Sequence, residues 1–433
     1  LERALADGEL YGLATTNALE LGVDIAGLDA VLIAGFPGTV TSFWQQAGRS
    51  GRRGQSALIM LIARDDPLDT YLVHHPAALL DKPIEQVVID PVNPYVLGPQ
   101  LLCAATELPL TQTEIEHLGA ERVAATLVGD GLLRRRSDKF FPTPGLLESG
   151  GPHPHVDIRG STGGQVVIVE ADTGRLLGNV DAGQAPASVH PGAVYLHQGE
   201  TYLVDSLDTE SKIAFVHAED PGYTTFAREI TDIDITGDGE RHWFGPVSLG
   251  LMPVTVTHQI VGYLRRRLTG EVVDFVELDM PATTLPTTAV VYTVTIDALA
   301  GCGIDQPRVP GSLHAAEHAA IGLLPLVASC DRGDIGGLST ALGPAALGGL
   351  PSVFVYDGHP GGAGFAERGF RSVRTWLAAT AATIESCECP HGCPSCVQSP
   401  KCGNGNEPLD KAGAVQLLHL VLGRLTGADR SAP

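Results

Sequence analysis

Two stretches decide the reading of this sequence: Leu13–Val31, LATTNALELGVDIAGLDAV, and Phe43–Gly54, FWQQAGRSGRRG. The first overlaps a short apolar run, Leu10–Thr16, and ends in another, Ala30–Gly35. A third run, Ala57–Ala63, follows the second stretch. Short apolar runs of this kind predict strands buried on both faces of a parallel sheet. After the turn at Pro37-Gly38, Gln45–Arg49 opens a helix. Strand and helix alternate, which predicts an α/β sheet. About 65 residues is short for a complete doubly wound sheet, so only part of one is expected. Arg49 and Arg52 stand three apart and share a helical face. Paired guanidinium groups can clamp a phosphate in transfer. A solvated basic face is the plainer account of the same pattern.

Composition narrows the classes. Of 433 residues, 44% are hydrophobic and 18% charged, which excludes a mostly disordered chain. No apolar run of about 18 residues lacks a charge or breaker, so no membrane span is expected. No cationic leader with an apolar core stands at the start, and a cytoplasmic monomer is the expectation. The sequence begins at Leu1 rather than Met, which reads as a piece of a longer protein. Net charge is −22, so any polyanion must be met by locally gathered bases. Three triplets offer themselves: Arg49, Arg52 and Arg53; Arg134, Arg135 and Arg136; Arg265, Arg266 and Arg267. Each is also the ordinary composition of a solvated helix or strand end.

The pattern changes along the chain, and four regions are expected: 1–90, 91–150, 151–298 and 299–433. The first holds the α/β segment and a proline-rich connector over 66–98. In the second, Leu101–Thr106, the capping box Thr111-x-x-Glu114 and Glu121–Val128 predict three short helices. The runs LLRRR and FFPT flank Ser137-Asp138-Lys139 as a hairpin, and together these predict a winged helix. The third shows short β runs spaced by Gly, Asp and Pro, expected to form an antiparallel barrel or sandwich. The fourth returns to helices around SVFVYDG and ends in a cysteine cluster. The whole is expected to be α/β plus α+β and multidomain.

Five of the eight cysteines fall between Cys387 and Cys402, spaced Cys-x-Cys-x3-Cys-x2-Cys-x5-Cys. Without a secretory leader such clustering predicts a metal site rather than disulfides. Cys393-Pro-Ser-Cys396 is a two-residue knuckle suited to tetrahedral thiolate ligation, and Zn²⁺ takes four ligands, so one of five is spare. Cys103, Cys302 and Cys330 are expected to be small buried hydrophobes. His314-Ala-Ala-Glu317-His318 spells the inverted zinc-protease pattern, with both histidines on one face and Glu317 beside them. Apolar flanks and the lack of a third ligand favour polar residues packed in a core. The loop GHPGGAG could cradle a phosphate at the start of the next helix, but tight turns use the same glycines.

Thr15-Thr16, Gly22-x-Asp24 and Gln45-x-x-Gly48-Arg49-x-Gly51-Arg52 resemble motifs V and VI of superfamily-2 helicases, in the second of their two RecA-like domains. The resemblance implies that Arg49 and Arg52 are arginine fingers toward ATP held by the first domain. It implies a nucleotide-sensing set of Gly22, Asp24, Gln45, Arg49 and Arg52, and a phosphate contact from Thr16. Gln46 stands where related enzymes often carry Arg. No Gly-x4-Gly-Lys-[Ser/Thr] and no Asp-Glu pair occurs, so the phosphate loop and the Mg²⁺-binding acid are expected upstream. Residues 1–433 alone are then expected not to hydrolyse ATP.

The cysteine cluster, with VYDGHPGGAGF and CDRGDIGGLS, resembles the C-terminal zinc-binding domain of one helicase group. That group contains the bacterial mitomycin-repair helicase and its fungal RecQ-type relatives, and the similarity spans most of the chain. It implies structural Zn²⁺ on Cys387, Cys389, Cys393 and Cys396, with Cys402 spare. It also implies an ATP- and Mg²⁺-dependent DNA helicase moving 3′ to 5′ on single-stranded and tailed duplex DNA, in repair. Arg134, Arg135 and Arg136 of the wing are the candidate DNA contacts. The alternative is an inert zinc-containing DNA- or protein-binding module with vestigial motor motifs.

Overall fold

The computed structural model describes residues 2–6, 9–22, 28–51, 56–156 and 164–427. The chain is a mixed α/β multidomain protein. At its start the strands Ala30–Ala34 and Leu58–Ile62 pair in parallel, Ala30 opposite Leu58, with the helix Val40–Ala47 between them in sequence. Thr39 caps that helix by accepting the Ser42 N–H at 3.0 Å. The Glu85 carboxylate accepts the N–H groups of Val40 and Thr41 at 3.0 and 3.2 Å. The expected strand over Leu10–Thr16 does not form: among the described residues nothing pairs with it, and an unpaired run has no ladder to satisfy its backbone. The two formed strands are less buried than their composition predicts, since Leu32, Leu58, Ile59, Met60 and Ile62 stay exposed.

The connector is not loose. Helix Pro67–His74 buries Leu68 and Leu72 in the same core as Val40 and Phe43, and packs on helices Val309–Leu323 and Val373–Ser386 of the C-terminal region. The buried Asp69 carboxylate fixes its start by accepting the N–H groups of Phe36 and Arg64. Residues 94–142 form helices Pro94–Glu107, Gln112–His117 and Glu121–Gly129 with a three-stranded sheet. Leu101, Ile115, Leu127, Leu133 and Phe140 give them a core of their own. The predicted capping box is present: Thr111 Oγ1 accepts from Glu114 N at 3.2 Å, and Glu114 accepts from Thr111 N at 2.7 Å.

The expected barrel over 151–298 resolves into two different sheets. Residues 165–218 make a five-stranded open sheet whose edges are Leu176–Asp181 and Val194–His197. Its pair Gln165–Glu170 with Ile213–Ala218 is parallel, not antiparallel. The second sheet is built on the 21-residue strand Val247–Arg267, which pairs with Tyr223–Ile235, Glu240–Phe244, Val272–Glu277 and Thr283–Val294. Thr283–Val294 then pairs with Ser352–Asp357, and that strand with Ile335–Thr340. A boundary at 298/299 therefore falls inside one continuous sheet. Helices Val309–Leu323, Val373–Ser386 and Lys411–Gly427 pack on one another, and the first of them lies on the strands Ile335–Thr340 and Ser352–Asp357. No helix among the described residues is long and apolar enough to cross a membrane.

Candidate zinc centre and motor segment

Helix Val373–Ser386 runs out at Cys387, and helix Lys411–Gly427 opens beside the same point. Between them four sulfurs converge. Cys387 and Cys393 lie 3.5 Å apart, Cys389 and Cys396 3.5 Å, Cys393 and Cys396 3.7 Å. A disulfide needs about 2.05 Å. A tetrahedral ion with Zn–S bonds of about 2.3 Å spaces its sulfurs at about 3.8 Å, so the set fits zinc. The knuckle supports it, with the Cys393 N–H donating to Cys396 Sγ at 3.3 Å. Burial pushes the Cys396 thiol up. At Cys389 burial acts the same way, but hydrogen bonds from Cys396, Cys387 and Cys393 outweigh it and bring the thiol down to about 7. The Lys411 ammonium lies 3.5 Å from Cys389 Sγ and donates to the Cys389 carbonyl at 2.7 Å. Lys411 has no motif; only its place at the start of the last helix hinted at it.

Cys402 stands outside this set, beside His314 and His318. Its sulfur lies 3.4 Å from His314 Nε2 and accepts the Asn406 N–H at 3.2 Å. His314 and His318 share a helical face, with ring centroids 4.2 Å apart. Glu317 does not lie beside them. It turns toward the strand Ile335–Thr340, where a methyl on Gly337 would sit 2.7 Å from its Oε1. Burial pushes its carboxyl up to about 7. Its carboxylate is not among the ligand atoms that converge with the two histidines, so the H-x-x-E-H residues do not gather as the protease pattern requires. Cys103 and Cys330 are buried as expected, whereas Cys302 is half-buried.

At the start of the chain Glu20 joins the two motif segments. Its carboxylate accepts from Ser42 Oγ at 2.6 Å and from Gln46 Nε2 at 2.9 Å, and its carbonyl accepts from the Arg49 guanidinium. Gln45 precedes Gln46 on the same helix, and Arg49 follows that helix directly. Thr16 caps the short turn Asn17–Leu19 at 3.4 Å, and Gly22 takes the positive φ of 79° that favours glycine. Asp24, Arg52 and Arg53 lie outside the described residues.

In the hairpin Leu133–Arg136/Lys139–Pro142 the three arginines do not share a face. Strand alternation puts Arg134 and Arg136 on one side. Arg135 lies on the other, over the buried Phe140 ring at 5.5 Å, and donates to the Ser137 carbonyl at 3.2 Å. Arg136 sits opposite Lys139, which makes that end of the hairpin basic. The triplet at Arg265–Arg267 is a strand end already engaged, with Arg265 3.5 Å from Asp274, Arg266 over Phe226, and Arg267 3.0 Å from Glu271. The glycine loop is also engaged. Asp357 accepts the N–H groups of Ala363, Gly364, Phe365 and Ala366 at 2.6–3.1 Å. A phosphate would have to displace that buried carboxylate, so the loop is a turn and not a cradle.

Three family descriptions match the chain: the helicase conserved C-terminal domain over residues 1–54, the winged helix domain of the ATP-dependent helicase HRQ1 over 89–161, and the MrfA Zn-binding domain over 316–397. The chain is 33% identical over 411 residues to "Uncharacterized ATP-dependent helicase YprA" of Bacillus subtilis (strain 168), covering 92% of this chain and 52% of that one. It is 30% identical over 456 residues to ATP-dependent helicase HRQ1 of Saccharomyces cerevisiae, covering 98% and 40%. The crystal structure of the DUF1998 helicase MrfA bound to DNA superposes with a TM-score of 0.57 at 30% identity, covering 97% of this chain and 55% of that one. The unbound MrfA structure gives 0.63 at 27% identity, covering 96% and 59%. The chain spans about half the length of the curated relatives it matches. A segment matching the helicase conserved C-terminal domain, a helicase winged helix and a four-cysteine centre on one chain define a helicase architecture. The chain belongs to the superfamily-2 helicases of the MrfA/Hrq1 group.

Proposed function

We propose that this chain is the C-terminal portion of an ATP-dependent DNA helicase that moves on single-stranded DNA and opens duplex. The observation that carries the reading is the Glu20 clamp. It ties the turn after Thr16, the candidate strand contact, to the helix bearing Gln45 and Gln46 and to Arg49 just past its end, the candidate nucleotide sensor. A change sensed at one is felt at the other through two side-chain hydrogen bonds and one to the backbone. Arg49 and Arg52 approach the γ-phosphate of ATP, while the phosphates and Mg²⁺ are held by residues outside this chain. The exposed apolar face of Leu32, Leu58 and Met60 supports that picture, since a patch of this kind marks a surface covered in the working protein.

The further division supports strand handling. Residues 1–90 belong to the second motor domain and 91–150 to a winged helix. The 165–218 sheet stands as its own unit, and the large sheet with the helices behind it carries the zinc. Arg134 and Arg136 contact phosphates. Zinc on Cys387, Cys389, Cys393 and Cys396 would supply order to a segment with almost no apolar residues. DNA repair and 3′ to 5′ movement are what the resemblance implies. The test uses purified residues 1–433 and the intact protein side by side. The shorter chain should bind single-stranded DNA weakly, with steep salt dependence, and turn over no ATP. ATP turnover by residues 1–433 alone, or salt-independent binding, would contradict the proposal.

A further inference from the structure

Helix Val309–Leu323 presents His314 and His318 four residues apart, and each Nδ1 is already committed. His314 Nδ1 lies 2.9 Å from the Pro408 carbonyl, and His318 Nδ1 lies 3.0 Å from the Val397 carbonyl. A carbonyl only accepts, so each Nδ1 carries the proton and each Nε2 presents a bare lone pair. A backbone carbonyl holding the far nitrogen is how proteins orient a metal-binding imidazole. Cys402 supplies the third group. Its sulfur lies 3.4 Å from His314 Nε2 and already accepts the Asn406 N–H. The three side chains each bring one ligand atom within 4.8 Å of the others.

A thiol proton can serve only one of the two Nε2 atoms. The other, on the buried His318 or its half-buried neighbour His314, would then face a sulfur lone pair. Such an arrangement leaves a polar atom without a partner, which is unfavourable when buried. One cation on all three removes the conflict. Tetrahedral zinc with Zn–N of about 2.1 Å and Zn–S of about 2.3 Å spaces nitrogen and sulfur at about 3.6 Å. The observed 3.4 Å is close to that spacing.

We propose that His314, His318 and Cys402 form a second metal site, for a zinc-class divalent cation, separate from the four-cysteine centre. Water takes the fourth position, because His314 and Cys402 are only half-buried. The metal staples the irregular segment between Val397 and Pro408 to the middle of the helix. That segment is also tied to the large sheet, through Arg228 and the Gly403 carbonyl. Glu317 lies against Gly337 and is not among the converging groups, so the site is a staple rather than a hydrolytic centre.

Elemental analysis of the intact protein, purified without chelator, tests this directly. About two zinc ions per chain are expected, falling to about one in Cys402→Ser and in His318→Ala. Cobalt replacement gives a second reading. The thiolate-to-cobalt absorption should drop by about one thiolate of five in Cys402→Ser, while the four-cysteine signal stays. One zinc per wild-type chain after zinc is supplied would overturn the proposal, whether or not the variants fold. Two zinc ions retained by a folded Cys402→Ser variant would overturn it equally.

Discussion

Glu20 lies between Thr16 and Gly22 and is not one of the residues that mark the motif, yet its carboxylate and carbonyl hold Ser42, Gln46 and Arg49 together. Glu20→Ala removes the carboxylate and leaves the carbonyl. In the intact protein it should lower DNA-stimulated ATP turnover about tenfold, equivalent to about 1.4 kcal/mol, while leaving DNA affinity nearly unchanged. Turnover at the wild-type rate would remove Glu20 from the coupling. A second residue-level expectation concerns His359 and Asp334, 3.1 Å apart. The Asp334 hydrogen bond holds His359 above its ordinary 6.5, against burial, and His359 holds Asp334 below its ordinary 3.8. The pair therefore stabilises fully between those values and fades as pH rises above 6.5 through the raised imidazole value. Both side chains are about a third exposed, so the loss is below about 1 kcal/mol. His359→Gln should flatten that part of the thermal-stability profile; an unchanged slope speaks against it. Residues whose chemistry demands one type at fixed spacing were legible in the sequence, the four cysteines above all. Glu20 and Lys411 were not, because their partners lie 22–29 and 22–24 residues away and only folding brings them together.

Among the elements, the hairpin shows what alternation does to a run of like residues. LRRR reads as one basic patch, but a strand deals its side chains to opposite faces. Arg134→Ala with Arg136→Ala should weaken single-stranded DNA binding and reduce the salt slope by about two, one for each phosphate left without its arginine. Arg135→Ala should act by uncovering the Phe140 ring and barely move the slope. Equal effects of all three would mean that the hairpin contacts DNA on both faces. The glycine loop gives the converse case. GHPGGAG was legible as a turn between strand and helix, but not its occupant, Asp357, which belongs to the preceding strand. Gly361 also meets the Asn93 side chain, whose amide donates to the Pro360 and Gly362 carbonyls at 2.8 and 2.6 Å. Asp357→Asn turns an amide donor toward backbone donors and should cost about 1–3 kcal/mol, read by denaturant unfolding. The helical stretch after the loop breaks at Ser372 into Phe365–Arg371 and Val373–Ser386, a division that periodicity does not reveal.

At the scale of the molecule, one core runs from Val40 and Phe43 through Leu68 and Leu72 to Leu313, Trp376 and Val397. The helix Val40–Ala47 therefore packs in continuity with the layer that carries the four cysteines. Sequence showed the regions and their order, because each has its own periodicity. It did not show that strands before and after residue 298 share a sheet, since a pairing as distant as Thr293 with Ser352 leaves no local trace. Cys393→Ser should lose the zinc of the four-cysteine centre and destabilise its layer by several kcal/mol. Retained zinc in that variant would move the ligand set. The central claim, that this architecture belongs to a working motor, is tested most directly by strand displacement with the intact protein on 3′- and 5′-tailed duplexes. Wild type should release the strand only with ATP, and Arg49→Ala should fall by about 10³ or more while still binding DNA. DNA binding without displacement by the wild type on either substrate, or wild-type displacement by Arg49→Ala, would contradict the account.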